Sequence, residues 1–257
     1  MPDADRVAFV GREPADQSSL GATLVRYTPV VEEPEMSARR GWFITVEGPD
    51  GAGKTTQAEA LATYLRQRGI DVLLTREPGG TALGERVREL LLNGGGAVAT
   101  DPLTDALLFN AARRQLVVDV LRPALSRGRT VVCARYADST LAYQGYGAGV
   151  PLDRLRALEA SATEGLTPDL TILLDLSVEA GLGRKGAEEI TRFEEFDLSF
   201  HRRVRNGFLA LAAASPKRFV VIDAARPPDE VATAVNTAAD RLVGSGEPKP
   251  VAARTTR

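Results

Sequence analysis

Five short apolar runs recur between residues 42 and 223: WFITVE (Trp42–Glu47), DVLLTRE (Asp71–Glu77), TVVCARY (Thr130–Tyr136), LTILLDL (Leu170–Leu176) and FVVID (Phe219–Asp223). They are continuous rather than alternating, rich in strand formers and bounded by turn residues. That is the pattern of strands buried on both faces of a parallel sheet. Between them, apolar positions fall at helical spacing. Ala58, Leu61, Ala62 and Leu65 make one face after the first strand, and Gly69 ends that helix. Leu83, Val87, Leu90 and Leu91 make the face of the next. Asp101-Pro102 opens a long helix that Pro123 and Gly128 close. Leu152, Leu155 and Leu158 face the core in another, and Val231, Val235 and Leu242 mark the last. This alternation predicts an α/β fold, an open sheet with helices on both faces. Ligands of such sheets sit beyond the carboxyl ends of the strands.

Outside this pattern lie two segments without clear periodicity. Residues 1–40 mix charges, Pro and Gly and read as a poorly ordered or loosely packed extension. Residues 244–257 read as a tail. The expected domain is therefore 41–243.

Composition narrows the chemistry. The formal net charge of -2 counts against a bulk polyanion such as duplex DNA, so no nucleic-acid partner is expected. Cys133 is the only cysteine, which rules out an internal disulfide and suits a cytoplasmic setting. His201 is the only histidine, which counts against a histidine-rich metal site or a Ser-His-Asp triad. No apolar run reaches membrane-spanning length and no signal peptide is visible, so no membrane partner is expected.

The first strand runs into Gly48-Pro49-Asp50-Gly51-Ala52-Gly53-Lys54-Thr55-Thr56, and a helix runs out. This completes the G-x-x-x-x-G-K-[ST] spacing in its proper context. Backbone N–H groups of the loop and helix start would hold nucleotide phosphates. Lys54 would reach the β- and γ-phosphates, and Thr55 would bind Mg²⁺. Asp50 is the oddity: an acid inside an anion-binding loop.

The loop names a donor nucleotide, not an acceptor. Other strand ends supply candidates for that. Arg76 and Glu77 end the second strand before the sharp Pro78-Gly79-Gly80 turn. Phe109 and Arg113 lie four apart, so a ring and a guanidinium share one helix face and can together stack on a base and read its edge. Arg135 ends the third strand, where a cation can hold an acceptor phosphate. Thr140 and Gln144 again lie four apart.

GPDGAGKTT, TREPGGT, LLFNAARRQL and RYADSTLAYQGYG together resemble the signatures of thymidylate kinases, over about residues 41–243, and FHRRVRNGFLALA resembles that family's helix after the lid. The resemblance implies a P-loop nucleoside-monophosphate-kinase fold with a five-stranded parallel sheet and a short lid. It implies a homodimer, and ATP and dTMP as substrates with Mg²⁺. By it, Phe109 stacks on thymine, Arg113 reads its edge, and Thr140 and Gln144 contact the base. Arg76, Arg88 and Arg135 surround the acceptor phosphate, with Glu77 beside them. Asp50 faces the acceptor sugar, where a carboxylate can accept from a 3′-OH.

The family draws an extra catalytic arginine either from the first loop or from the lid. No arginine lies between Gly48 and Lys54, so the lid, about 181–195, supplies the candidates Arg184 and Arg192, with Gly181, Gly183 and Gly186 suited to a hinge. One departure stands out. The third strand ends Ala134-Arg135 where the family has Asp-Arg, and that acid helps organise magnesium. Glu77 is the first candidate to compensate, and a second ligand beside Thr55; Asp138 is the other. A different deoxynucleotide or deoxynucleoside kinase, or a catalytically weakened nucleotide-binding homologue, is the rival reading.

Overall fold

The computed structural model describes residues 40–92, 100–184 and 197–244. The chain divides after Glu33 into two units, and all described residues belong to the second, Pro34–Arg257.

All five apolar runs form strands: β1 Phe43–Glu47, β2 Val72–Arg76, β3 Thr130–Ala134, β4 Leu170–Asp175 and β5 Phe219–Asp223. They pair in parallel in the order β2-β3-β1-β4-β5. The connections diverge on either side of β1, which opens a crevice at its carboxyl end. Side chains alternate between faces. Ile44, Val46, Val132, Ala134, Ile172 and Leu174 pack under α1 (Lys54–Gln67) and α9 (Pro228–Gly244). Phe43, Val131 and Cys133 pack on the other face against α3 (Pro102–Leu116) and α4 (Arg122–Ser126). Farther along that face, Leu173 and Phe219 meet α6 (Leu152–Thr163) and α8 (Leu198–Ala214). Thr45 and Thr171 sit on this buried face because their hydroxyls bond each other at 2.9 Å.

Four expectations change. The edge strand β5 is not buried on both faces, because Val220 and Val221 are left 36% and 49% exposed. The long helix does not close at Pro123. A π-turn at Val117–Leu121 joins α3 to α4, and Pro123 sits in the first turn of α4, where a missing N–H is tolerated. In α2 (Ala82–Leu92) the buried stripe is Gly84, Val87 and Leu91, while Leu83 and Leu90 are 44% and 37% exposed. Gly84 replaces a leucine in the stripe because a Cβ there would lie 2.6 Å from Gly79 O. Finally, Gly181 and Gly183 belong to α7 (Val178–Gly183) rather than to a hinge loop. Gly186 lies outside the described residues.

Candidate active site

The first loop owes its path to glycines. Gly48, Gly51 and Gly53 have φ of 146°, 74° and 85°, which other residues rarely adopt. A Cβ on Gly51 would lie 2.0 Å from Gly181 O, and one on Gly181 would lie 2.3 Å from Asp50 O. Loop and α7 therefore touch backbone to backbone. No side chain caps the start of α1, which leaves its first N–H groups for a ligand anion. Lys54 bridges the loop, Nζ donating to Pro49 O at 2.6 Å, and Thr55 is exposed next to it in the chain.

Asp50 turns toward the acceptor side. Its Oδ1 accepts from Arg135 Nη2 at 2.5 Å and its Oδ2 accepts from the Tyr143 hydroxyl at 2.7 Å. Tyr143 Oη also accepts from Arg135 at 3.3 Å, and the guanidinium lies 5.1 Å from its ring centroid. Burial alone would disfavour the Arg135 charge. Tyr143, Asp50 and Glu47 outweigh it and hold that guanidinium firmly protonated. The acid is thus tolerated in the loop because Arg135, which follows the adjacent strand β3, neutralises it, with Lys54 Nζ 4.0 Å from the same oxygen.

Arg135 follows β3 with φ 67°, a left-handed conformation unusual for arginine. Its helix neighbour α5 (Ala137–Thr140), continued by a π-turn at Leu141–Gly147, fixes three more groups. Asp138 takes a bidentate pair from Arg218 at 2.6 and 2.9 Å. Ser139 donates to Glu47 Oε2 at 2.6 Å. Thr140 accepts from Arg113 at 3.1 Å.

Arg113 is the hub of a second cluster. It also donates to Glu77 Oε2 at 2.8 Å, Asn110 Oδ1 at 3.2 Å and the Tyr136 carbonyl at 3.1 Å. Burial raises the Glu77 carboxyl above its usual range, and Arg113 opposes that rise. Phe109, one turn earlier, is half-buried between α2 and α6–α8 packing, and Gln144 is buried. The structure thus joins Arg113 to Thr140 directly. Gln144 makes no side-chain bond to either.

Arg76 and Arg88 form the third group. Arg76 makes a bidentate pair with Glu85 at 2.9 and 3.1 Å. Glu85 also accepts from Gly80 N–H at 2.9 Å, which ties the Pro78-Gly79-Gly80 turn to α2. Arg88 donates to Pro78 O at 3.2 Å. Burial, then repulsion from Arg76 and Arg135, lowers the Arg88 pKa. Arg88 thus lies within electrostatic reach of Arg76 and Arg135, whose charges are partnered by Glu85 and Asp50.

Of the two candidates to compensate for Ala134, Glu77 gives only its Oε2 to Arg113 and keeps Oε1 without a hydrogen-bond partner, whereas Asp138 gives both oxygens to Arg218. Arg184 ends α7 with Nη1 donating to Ala224 O at 3.1 Å, which places it beside the end of β5. Arg192 lies outside the described residues. Sequence reasoning missed Tyr143 and Glu47. Both hide in apolar surroundings, Tyr143 in LAYQGYG and Glu47 at the end of a strand. The one signal available was that each is a polar group next to a motif residue.

A glycine-rich loop before an uncapped helix start, tied to an arginine at the carboxyl end of the neighbouring strand, is the arrangement of a phosphotransferase of the nucleoside-monophosphate-kinase class. A profile described as "Thymidylate kinase" matches residues 46–235. The chain belongs to the thymidylate kinase family. It is 58% identical to the thymidylate kinase of Deinococcus radiodurans over 193 residues, 75% of this chain and 93% of that protein. It is 53% identical to that of Thermomicrobium roseum over 211 residues, 81% of this chain and 99% of that protein. The crystal structure of thymidylate kinase from Ehrlichia chaffeensis is similar, with a TM-score of 0.63 and 36% identity over 79% of this chain and 99% of that one.

Proposed function

We propose that the chain transfers the γ-phosphoryl group of ATP to dTMP, giving dTDP. The observation that carries this is the Asp50–Arg135 pair at 2.5 Å, which joins the donor loop to the acceptor strand. The loop 48–56 and Lys54 hold the donor phosphates. Arg76, Arg88 and Arg135 hold the acceptor phosphate, Asp50 and Tyr143 its sugar, and Phe109, Arg113, Thr140 and Gln144 its base, with Glu77 orienting Arg113. Such transfer needs alignment and charge neutralisation more than covalent help. Arg135 serves both, because it stands between the two nucleotides. Arg192 is the candidate for a further catalytic arginine. Arg184, beside Ala224, flanks the donor instead.

Among the described residues, no three His, Cys, Asp or Glu side chains gather to hold a metal. Magnesium bound to a nucleotide takes most of its ligands from phosphate and water. Thr55, an exposed residue with a hydroxyl to offer, fits that need and would be its protein ligand. Bound there, the ion would neutralise phosphate charge.

The kinase domain is 41–243, with a lid at 181–195. The chain works as a cytoplasmic homodimer. Support comes from α2 and α3, which pack together and leave Leu83, Leu90 and Leu107 37–48% exposed, a patch suited to a second copy. No described helix is long and apolar enough to cross a membrane.

The test is an acceptor screen with labelled ATP against dTMP, dUMP, dCMP and thymidine. Preference for dTMP is expected. Transfer to thymidine in preference to dTMP would overturn the assignment.

A further inference from the structure

Glu47 is wholly buried at the end of β1, yet the substrate contacts proposed above give it no task. Its Oε1 accepts from the Tyr136 N–H at 2.7 Å and its Oε2 from the Ser139 hydroxyl at 2.6 Å. Those two groups bracket Arg135. The Tyr136 N–H belongs to the peptide that follows Arg135. Ser139 Oγ accepts from Arg135 Nη1 at 3.3 Å. On the other side, the Arg135 N–H donates to Val46 O at 3.0 Å. Two consecutive residues of β1 therefore hold one arginine's backbone from both ends. Left-handed backbone persists at a non-glycine residue only where its surroundings over-determine it.

We propose that Glu47 is a positioning residue for phosphoryl transfer, its carboxylate locking Arg135, through the Tyr136 N–H and the Ser139 hydroxyl, in the left-handed conformation that aims the guanidinium at the acceptor phosphate. This rests on the kinase reading above.

The clamp needs acceptor oxygens, and only the ionised carboxyl offers both freely. Burial and then Asp138 raise the Glu47 pKa to about 7, while Ser139, Arg135 and the Tyr136 N–H oppose the rise. Arg218 and Cys133 are the other ionisable groups that sense it, from the start of β5 and from β3. The clamp therefore tightens as pH rises through neutrality.

The test compares pH–rate profiles of the wild type, Glu47→Gln and Ser139→Ala from acid to alkaline pH, with dTMP and ATP varied in turn. The acceptor phosphate ionises in all three alike, so the ratio of wild type to variant isolates Glu47. The wild-type kcat is expected to gain about tenfold over Glu47→Gln between the acid and alkaline plateaus, the effect of one charge-assisted hydrogen bond. The KM for ATP should not move. Ser139→Ala should shift the same way but less, and it decides the matter if Glu47→Gln fails to fold. A flat ratio with equal kcat would overturn the proposal. A wild type inactive at every pH would overturn the kinase reading, and the proposal with it.

Discussion

Glu77 and Arg113, 36 residues apart in sequence, meet at 2.8 Å with both side chains buried. One follows β2 directly and the other comes from the last turn of α3. Truncating one partner of such a pair leaves the other charge stranded, which costs about 3–5 kcal/mol. Arg113→Ala should therefore lower the denaturant midpoint at constant slope. It should also raise the KM for dTMP while sparing that for ATP, which steady-state kinetics would check.

Glu159 lies buried on α6, and its Oε1 has no hydrogen-bond partner. Burial, opposed by Arg113 and assisted by Asp138 and Glu77, raises its pKa from 4.5 to about 8. Here the folded state holds the proton more tightly than the unfolded chain. Stability is therefore lost as pH rises from about 4.5 to 8 and is level above that. At about 1.4 kcal/mol per unit, the ceiling on this effect is about 5 kcal/mol. Glu159→Gln should melt with the wild type near pH 4.5 and increasingly above it up to about pH 8, with a constant gap at higher pH. Thermal melts across that range would show it.

The two glycines of α7 should respond differently to alanine. At Gly181 a Cβ would lie 2.3 Å from Asp50 O, whereas at Gly183 it would meet nothing within 4 Å. Gly181→Ala should push the phosphate loop aside, lowering kcat and costing about 1–3 kcal/mol. Gly183→Ala should stay within about 1 kcal/mol of wild type. Kinetics and melts of both variants, run together, separate close approach from helix propensity.

Ala134 packs in the apolar cluster that includes Ala52 of the loop and Ala58 of α1. An aspartate there would place its carboxyl beneath the phosphate loop. Ala134→Asp is expected to raise kcat with ATP and dTMP, and to cost about 1–3 kcal/mol of stability for burying a charge. A variant no faster than wild type would mean that this chain manages the transfer without an acid at that position.

The sheet was legible because its central strands β1, β3 and β4 are buried on both faces and read as unbroken apolar runs, a pattern that the edge strand β5 shares in sequence although Val220 and Val221 are exposed. Phe43, Val131 and Leu173 face one helical layer, and Ile44, Val132 and Ile172 face the other. Helix faces were less legible where close packing set the pattern. Gly84 sits in the buried stripe of α2 because the Gly79 carbonyl approaches it, a tertiary fact that no periodicity carries. The π-turns at Val117–Leu121 and Leu141–Gly147 are register shifts without a residue signature of their own. Motif spacing pointed to Asp50, Arg113 and Arg135. It could not supply their partners Tyr143, Glu77 and Glu47, because those contacts join separate strand ends.

The most direct measurement is γ-phosphoryl transfer from ATP to dTMP by wild type and Asp50→Asn, assayed side by side. The wild type should form dTDP. The variant should keep its affinity for ATP but lose about tenfold to a hundredfold in kcat/KM for dTMP, because the charge that aligns Arg135 is gone. A wild type that binds ATP yet shows no affinity for dTMP at millimolar concentration, or an Asp50→Asn enzyme as fast as wild type, would contradict this.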